Sequence, residues 1–432
     1  MLRDSVARFK GDFLYSFASV LASIVAIIGN VVAACYLTPE EMGVMQTLSL
    51  IPVYTAFLHL GVFNGLSRNT AIHLGRSEQS RVQSLVDSSW RLVRLLSGVL
   101  LVLCVVFSFA LYLAKGWTLY TWGMLFIVVT VVCEPASTHL EVVYLSTKSF
   151  ARLGIRILWQ NAATLLVSLL PVFAGVAGFI IGRAVTSIVR LAVRWGGVPV
   201  KVRGPGSLAE MKTLAIVGMP LLVTGTIYSF LGVADRSVVA SFLSPREVGN
   251  YTLASLVILG TQFLPLCLGA LMYPRVASEY GRTNSSRALR RHFWVLLGLN
   301  VLLLVPISLL AFFLIEPLTM TFMPAYADGI SAARLAALSS ITLAYYSLTT
   351  IIAVLRRNKL FIIAIGLSLG GVWGLGSWLV TEGHGLTGVV VARTVASAFL
   401  CAFTIFYAYN LTGKDLAVEN CKDDQLDGAG YN

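Results

Sequence analysis

The chain has 432 residues, of which 57% are hydrophobic and only 12% are charged, with a formal net charge of +12. A soluble domain carries about twice that share of charged residues, so the composition excludes an ordinary soluble enzyme or binding domain. Apolar stretches of about 18 residues or more recur, and each is long enough to cross the hydrocarbon layer as a helix. Because these stretches are continuous rather than alternating, they predict membrane-spanning helices and not a β-barrel.

Twelve spans are predicted, six in each half of the chain. Those of the first half lie at about 13–37, 43–64, 92–114, 119–144, 155–174 and 177–195. Those of the second half lie at about 214–243, 250–273, 293–315, 329–355, 360–380 and 386–411. The basic, Gly- and Pro-containing connector 196–213 predicts a cytoplasmic linker between two six-helix bundles, 1–195 and 214–411. The polar tail 412–432 predicts a disordered cytoplasmic segment.

One short motif occurs twice. Residues 37–49 read LTPEEMGVMQTLS, and residues 243–255 read LSPREVGNYTLAS. At this offset of 206, 15 of the 45 positions from residue 37 to residue 81 are identical, against roughly a tenth expected by chance. The sequence therefore predicts a duplicated half. Since each copy holds six spans, both copies enter the membrane in the same orientation, related by an axis along the membrane normal.

Lys and Arg are distributed unevenly between the two predicted sides of the membrane. The side that holds both termini and the connector carries 26 of the 32, whereas the other side carries only Lys115 and Arg246. By the positive-inside rule the crowded side is cytoplasmic, so both termini are predicted to be cytoplasmic. The positive charge indicates topology and attraction to lipid head groups, and it gives no reason to expect nucleic acid as a partner.

A few arginines fall inside predicted spans, where a charge costs about 2.5–3.5 kcal/mol on insertion scales and needs a partner or a watery cavity. They are Arg183, Arg236, Arg334 and Arg393. Arg183 and Arg393 occupy equivalent places near the start of the spans that close the two halves, so we expect both to line a cavity. Arg236 is a further candidate for binding a substrate.

Span 6 presents a cationic face, because Arg183, Ser187, Arg190 and Arg194 fall within a narrow arc at helical spacing. Arg190 is therefore a candidate for binding substrate, as Arg334 is in span 10. The alternative for Arg190, Arg194 and Arg334 is that their long side chains snorkel to the nearest membrane interface.

Two acidic residues inside spans, Asp235 and Glu134, are the candidate carriers of a coupling ion. Asp235 stands beside Arg236 in span 7, where a structural ion pair with another helix is the alternative. Glu134 lies near the middle of span 4 and precedes Pro135, which frees a backbone carbonyl and bends the helix. Asn30 of span 1 occupies the position of the repeat that is equivalent to Arg236 of span 7. We therefore include Asn30 among the substrate-binding candidates.

Several chemistries find no support in the sequence. No GxxxxGK[ST], HExxH or CxxC motif occurs, and neither a metal nor another cofactor is expected. The predicted outer loops are very short, which argues against a membrane-embedded glycan transferase or polymerase, the alternative from another functional class. The costly charges inside the spans argue against a scaffold that transports nothing.

Several of these elements occur together in one known superfamily. They are Gly11–Asp12 before span 1, LTPEEMG after it, LGVFNGLSR (60–68), GFIIGR (178–183), Asp235 and LSPREVGNYTLAS. Over about 10–411 the chain resembles the polysaccharide-transport branch of the multidrug/oligosaccharidyl-lipid/polysaccharide (MOP) exporter superfamily, which holds the O-antigen flippases. The resemblance implies an all-α membrane fold, with two six-helix bundles around a central cavity as in MATE-type exporters.

The resemblance also implies a function. It implies a flippase, not an enzyme, that moves undecaprenyl-diphosphate-linked oligosaccharide to the outer leaflet of a bacterial inner membrane for O-antigen, capsule or exopolysaccharide biosynthesis. H⁺ or Na⁺ would be the coupling ion of this alternating-access cycle. A glycan polymerase and a chain-length regulator would be partners of the protein, which we expect to be monomeric. Guanidinium groups that bind phosphate bidentately fit this substrate.

Two rivals share the fold. A multidrug exporter of organic cations should line its cavity with carboxylates rather than with several arginines. The second rival is a peptidoglycan-precursor flippase, but proteins of that group have more membrane spans than the twelve predicted here.

Overall fold

The computed structural model describes residues 2–413, with side chains from residue 11, and every regular element in that range is helical. The helices are α1 (Leu2–Tyr36), α2 (Pro39–Leu48), α3 (Leu50–Thr55), α4 (Val62–Gly75), α5 (Gln79–Lys115), α6 (Leu119–Ser146), α7 (Phe150–Val167), α8 (Leu170–Trp195), α9 (Leu208–Leu231), α10 (Ala234–Phe242), α11 (Pro245–Thr283), α12 (Arg290–Phe322), α13 (Ile330–Ser339), α14 (Tyr345–Val354), α15 (Lys359–Thr381) and α16 (Gly385–Gly413). Short 3₁₀ turns lie at Ala56–His59, Arg287–Leu289, Pro324–Gly329 and Ser340–Ala344. The predicted tail 412–432 lies outside the described residues from residue 414 onward.

Ten helices within residues 2–413 are long and apolar enough to cross a membrane, and the bent pair Pro39–His59 and Val62–Gly75 makes an eleventh span. The protein is therefore a multi-pass helical membrane protein. The sequence predicts twelve spans, and the difference is α7, which replaces predicted span 5. Its 18 residues include Arg152 and Arg156 and a row of polar side chains, which lower its hydropathy below that of the other spans.

Several predicted spans are interrupted rather than straight. Span 2 breaks at Leu60 and Gly61, whose φ angles of 48° and 79° are left-handed, and the two parts meet at 50°. Gly175, with a φ of 50°, interrupts α8 near its start, at the predicted boundary between spans 5 and 6. Predicted span 10 is divided into α13, the turn Ser340–Ala344 and α14. Glycine accommodates the positive φ without the steric cost of a Cβ atom.

The duplicated motif forms the same local structure in both copies. Thr38 and Ser244 precede α2 and α11, and each side chain forms a capping box with the glutamate three residues later, Glu41 or Glu247. Such a box satisfies backbone N–H groups that a helix start leaves without partners. Pro39 and Pro245 then stand at the first helical position, where the fixed φ angle favours the helix.

The glycines of the two motifs mark a close crossing of α2 with the first turns of α11. A Cβ atom added to Gly43 would lie 1.7 Å from the carbonyl oxygen of Pro245. Reciprocally, one added to Gly249 would lie 1.7 Å from the carbonyl oxygen of Pro39. Small residues allow this close approach of two helix backbones, as in other membrane helix pairs.

The connector is held against α5. Arg203 N donates to Asp87 Oδ1 at 2.8 Å, and Ser207 N donates to Ser88 Oγ at 2.9 Å. Glu210, in the first turn of α9, accepts hydrogen bonds from the hydroxyl groups of Ser84 and Ser88. Residues 196–207 therefore form a strap along α5, while residues 208–213 of the predicted linker are already helical.

The chain divides into two compact units, one ending at Thr252 and the other beginning at Leu253. The first unit includes α9, α10 and the first turns of α11, which the duplication assigns to the second copy. The division into bundles 1–195 and 214–411 concerns the repeat and stays a prediction. In the second unit, hydrogen bonds between polar side chains link buried faces of neighbouring helices. For example, Asn300 Nδ2 donates to Ser347 Oγ at 2.6 Å.

Candidate substrate-binding cavity

A cavity of about 300 Å³ opens between α1, α7 and α8 of the first unit. Polar side chains from all three helices line it: Asn30, Gln160, Asn161, Thr164, Ser168, Arg183, Thr186 and Arg190. Those of α7 recur about once per helical turn, so they share the face that the helix turns towards the cavity. The volume is at the lower end of the range of small-molecule pockets.

Arg183 projects into this cavity and is exposed there. Its Nη2 donates to Asn30 Oδ1 at 3.3 Å, and its guanidinium carbon lies 5.1 Å from the centre of the Phe179 ring. Within residues 11–413 it forms no ion pair with a carboxylate. The structure thus brings two predicted site residues together, and the charge of Arg183 faces the cavity without a carboxylate in contact with it.

Further along, α8 meets a polar face of α6. The hydroxyl groups of Thr130 and Ser187 are 3.1 Å apart. One turn later, the two terminal nitrogens of Arg190 bind the two carboxylate oxygens of Glu134, with Nη1 3.2 Å from Oε1. Arg190 also lines the cavity, so this predicted substrate-binding residue and this predicted ion carrier form one bidentate pair at its wall.

The contact between α6 and α8 continues at Arg194, whose side chain is only 8% exposed. Its Nη1 lies 2.9 Å from Glu141 Oε2 and also donates to the carbonyl oxygen of Ser137. Tyr144 Oη donates to the carbonyl oxygen of Arg194 at 2.9 Å. This arginine is enclosed by partners and does not line the cavity.

Asp235 and Arg236 lie elsewhere in the first unit, at the start of α10. The Asp235 side chain is 2% exposed and accepts a hydrogen bond of 2.7 Å from Tyr251 Oη. Its Oδ1 also accepts from the backbone N–H of Arg236 at 2.8 Å. Neither residue lines the cavity that holds Arg183, so the structure does not unite all the predicted site residues at one place.

Arg334 and Arg393 belong to the second unit. Arg334 Nη2 binds Glu316 Oε2, and its guanidinium carbon lies 5.3 Å from the centre of the Phe312 ring. Arg393 is half-buried on α16. The substrate-binding role of both residues stays a prediction.

The predicted site residues include none from α7, although this helix contributes to the cavity. Gln160, Asn161, Thr164 and Ser168 recur at helical spacing inside a predicted span, and that spacing is a signal for a polar face. Gln160 also has a buried Oε1 atom with no hydrogen-bond partner among the described residues. A ligand with a donor group would satisfy it.

The arrangement of helices is that of a known class of membrane transporter. An inward-facing multidrug resistance MATE family transporter of the MOP superfamily is 13% identical, with a TM-score of 0.69 over 95% of this chain and 96% of that chain. The lipid II flippase MurJ in an inward closed conformation is 14% identical, with a TM-score of 0.67 over 93% and 90%. An outward-facing MATE transporter is 13% identical, with a TM-score of 0.65 over 94% and 96%. At these identities the likeness concerns the fold.

Residues 37–326, more than half of the chain, match the family described as "Polysaccharide biosynthesis protein". The chain belongs to this family. No curated protein matches the sequence. The family and the fold together confirm the resemblance to the polysaccharide branch of the MOP superfamily, and they support a transporter or flippase of the MOP type.

Proposed function

We propose that the protein is a flippase that moves undecaprenyl-diphosphate-linked oligosaccharide from the cytoplasmic to the outer leaflet of a bacterial inner membrane. Its termini are cytoplasmic in this proposal, as the distribution of Lys and Arg predicts. A glycan polymerase and a chain-length regulator would use or control the exported repeat unit, and the flippase itself would act as a monomer. The family supports a substrate from polysaccharide biosynthesis.

The observation that carries the proposal is the uncompensated guanidinium group of Arg183 in the cavity. A cation held inside a membrane protein without a carboxylate partner is costly unless an anion or water meets it. A diphosphate supplies that anion, and its oxygens match the planar fork of donors that an arginine presents. The neutral polar groups of Asn30, Gln160 and Thr164 can form hydrogen bonds with sugar hydroxyls beside it.

Transport against a gradient requires coupling to an ion. We propose H⁺ or Na⁺ for this role, with the carboxylates of Glu134 and Asp235 as carriers. Glu134 pairs with the cavity residue Arg190 and lines a small separate pocket, whereas Asp235 is enclosed near Tyr251, so the two are expected to act at different points of an alternating-access cycle.

The test is complementation of a flippase-deficient strain, scored by lipid-linked glycan that reaches the outer leaflet. Arg183→Gln is expected to abolish export, because the loss of charge-assisted hydrogen bonds weakens diphosphate binding roughly 10- to 100-fold. Arg183→Lys should retain part of the activity. Arg282→Gln is the matched control, since Arg282 is exposed and pairs only with Glu279 one turn away. Full surface polysaccharide with Arg183→Gln would refute the proposal.

Because the chain is similar in fold to a MATE multidrug transporter, multidrug export is the second candidate function. An organic cation would be repelled by Arg183, so we expect no change in susceptibility to cationic drugs when the protein is expressed. Resistance that survives in Arg183→Gln would favour this second function instead.

A further inference from the structure

Arg190 stands two helical turns after Arg183 on the same face of α8, and both residues line the cavity. A separation of seven residues corresponds to about 10 Å along a helix and places both side chains within about 20° of one direction. Two long guanidinium side chains at this spacing can converge on one ligand between them. Arg190, however, is held by Glu134 in the structure, whereas Arg183 is not.

The carboxylate of Glu134 faces a second space on its other side. This small pocket of about 20 Å³ has room for a water molecule. Its wall includes Thr55 and the ring of His59, whose Nδ1 atom is buried without a hydrogen-bond partner among the described residues. Glu134 therefore has Arg190 on one side and a water-sized pocket on the other.

The groups that face Glu134 can be named helix by helix. α8 contributes Arg190, in direct contact, and Arg194, whose charge interacts with Glu134 at longer range, and the turn Ala56–His59 contributes His59. The remaining wall of the pocket is formed by uncharged residues of α3, α4, α5 and α6: Thr55, Phe63, Leu96, Leu100, Val131, Pro135 and Thr138. Arg190 is thus the counter-charge in contact with this carboxylate, and His59 is its titratable neighbour.

We propose that Glu134 and a polyprenyl diphosphate compete for Arg190, so that the diphosphate binds together with a proton. The inference rests on the proposed function and adds the regulation of that same site. A diphosphate offers the same bidentate geometry as the carboxylate and more negative charge. When Arg190 turns to the ligand, Glu134 loses its counter-charge in a poorly solvated place, which favours its neutral form. The proton comes from solvent and forms an O–H bond on the carboxylate.

The second ion pair of α8 shows why the competition is specific to Arg190. Arg194 is bound by Glu141 and by the Ser137 carbonyl oxygen and is enclosed away from the cavity. Arg190 has side-chain exposure of 24%, and its hydrogen bonds to protein all go to Glu134. Only the Glu134 pair combines a guanidinium at the cavity wall with a carboxylate beside a separate small pocket.

The experiment measures binding of farnesyl diphosphate to the purified full-length protein from pH 5.5 to pH 8. Calorimetry in two buffers of different ionisation enthalpy counts the protons taken up. The wild type should bind more tightly as the pH falls and take up close to one proton more than Glu134→Gln does. Glu134→Gln should bind about tenfold more tightly at pH 8, with only the pH dependence of the diphosphate itself. Thermal unfolding establishes that the variant is folded.

Glu141→Gln is the matched control. It removes the carboxylate of the neighbouring ion pair with Arg194 and should leave binding of the diphosphate unchanged. A second variant, Glu134→Asp, keeps the charge with a shorter side chain and should retain the proton uptake. If Arg183→Gln weakens binding but Glu134→Gln changes neither affinity nor proton uptake, the competition is refuted and the proposed function stands. If the wild type does not bind the diphosphate, both are refuted.

Discussion

The two ends of the contact between α6 and α8 use the same residue type for different purposes. At one end Arg194 is surrounded by Glu141, the Ser137 carbonyl oxygen and its own helix, and it is almost inaccessible. At the other end Arg183 faces an open cavity with Asn30 as its hydrogen-bond partner. The cationic face of α8 is therefore structural at Arg194, which α6 encloses with a carboxylate and a carbonyl group, and it is available to a ligand at Arg183, where α6 supplies no acid.

The difference originates in α6. Its acidic positions, Glu134 and Glu141, are two turns apart and meet Arg190 and Arg194. Nearer its start the facing side chain is Phe126, whose ring packs against Phe179 at 6.5 Å. No acid of α6 accompanies Arg183, so the sequence of the partner helix decides which arginine stays uncompensated.

The largest expected effect is at the enclosed end. Arg194→Ala leaves Glu141 and the Ser137 carbonyl oxygen without their partner, and we expect a loss of about 3 kcal/mol of stability. The thermal unfolding midpoint in detergent measures it. The double variant Arg194→Ala with Glu141→Gln should recover part of the loss, because no carboxylate is then left alone. An unchanged unfolding midpoint in Arg194→Ala would contradict the structural role assigned to Arg194.

The next largest effect is expected at Arg183, where a substitution can supply the carboxylate that the cavity lacks. Asn30→Asp places a carboxylate beside Arg183 at nearly unchanged geometry, and the new ion pair should compete with the diphosphate. We expect export to fall at least tenfold while the unfolding midpoint is kept or raised. Asn30→Ala is the matched control, since it leaves the charge of Arg183 uncompensated and should reduce export much less. Equal activities of the two variants would contradict this account of the cavity.

The smallest effect is expected between the two ends, at the neutral pair of Thr130 and Ser187. Ser187→Ala removes the 3.1 Å hydrogen bond to the Thr130 hydroxyl, which contributes about 1 kcal/mol, and the bond that Ser187 Oγ donates to the Arg183 carbonyl oxygen of its own helix. Thermal unfolding should show a small decrease, and export should be retained because Ser187 does not line the cavity. Loss of export in a well-folded Ser187→Ala protein would show that the binding region extends further along α8.

The sequence predicts much of this arrangement. The spacing of Arg183, Arg190 and Arg194 predicts a single cationic face, and the structure has it. It does not predict the partners, because helical periodicity shows which residues share a face but not which helix that face meets. Glu134 is therefore predicted as an ion carrier without its bond to Arg190. The polar row of α7 is missed because a hydropathy average hides it.

The breaks in the spans are predicted less well. Leu60 has a left-handed φ angle where a leucine favours a continuous helix, and tertiary packing of the bent span overrides that local preference. The division of predicted span 10 at Ser340–Ala344 has no proline or glycine to signal it. The capping boxes, in contrast, are local features of the duplicated motif, and with them both helices begin a few residues before the predicted spans 2 and 8.

The reciprocal crossing of Gly43 and Gly249 has an evolutionary consequence. Each glycine fits against the proline carbonyl of the other motif, which is the pattern of an isologous contact between two identical subunits. Two separate half-length chains that carried this motif could make the same contact as a homodimer. In the single chain a side chain at either glycine would displace the backbone of the other motif, so a substitution in one motif affects both.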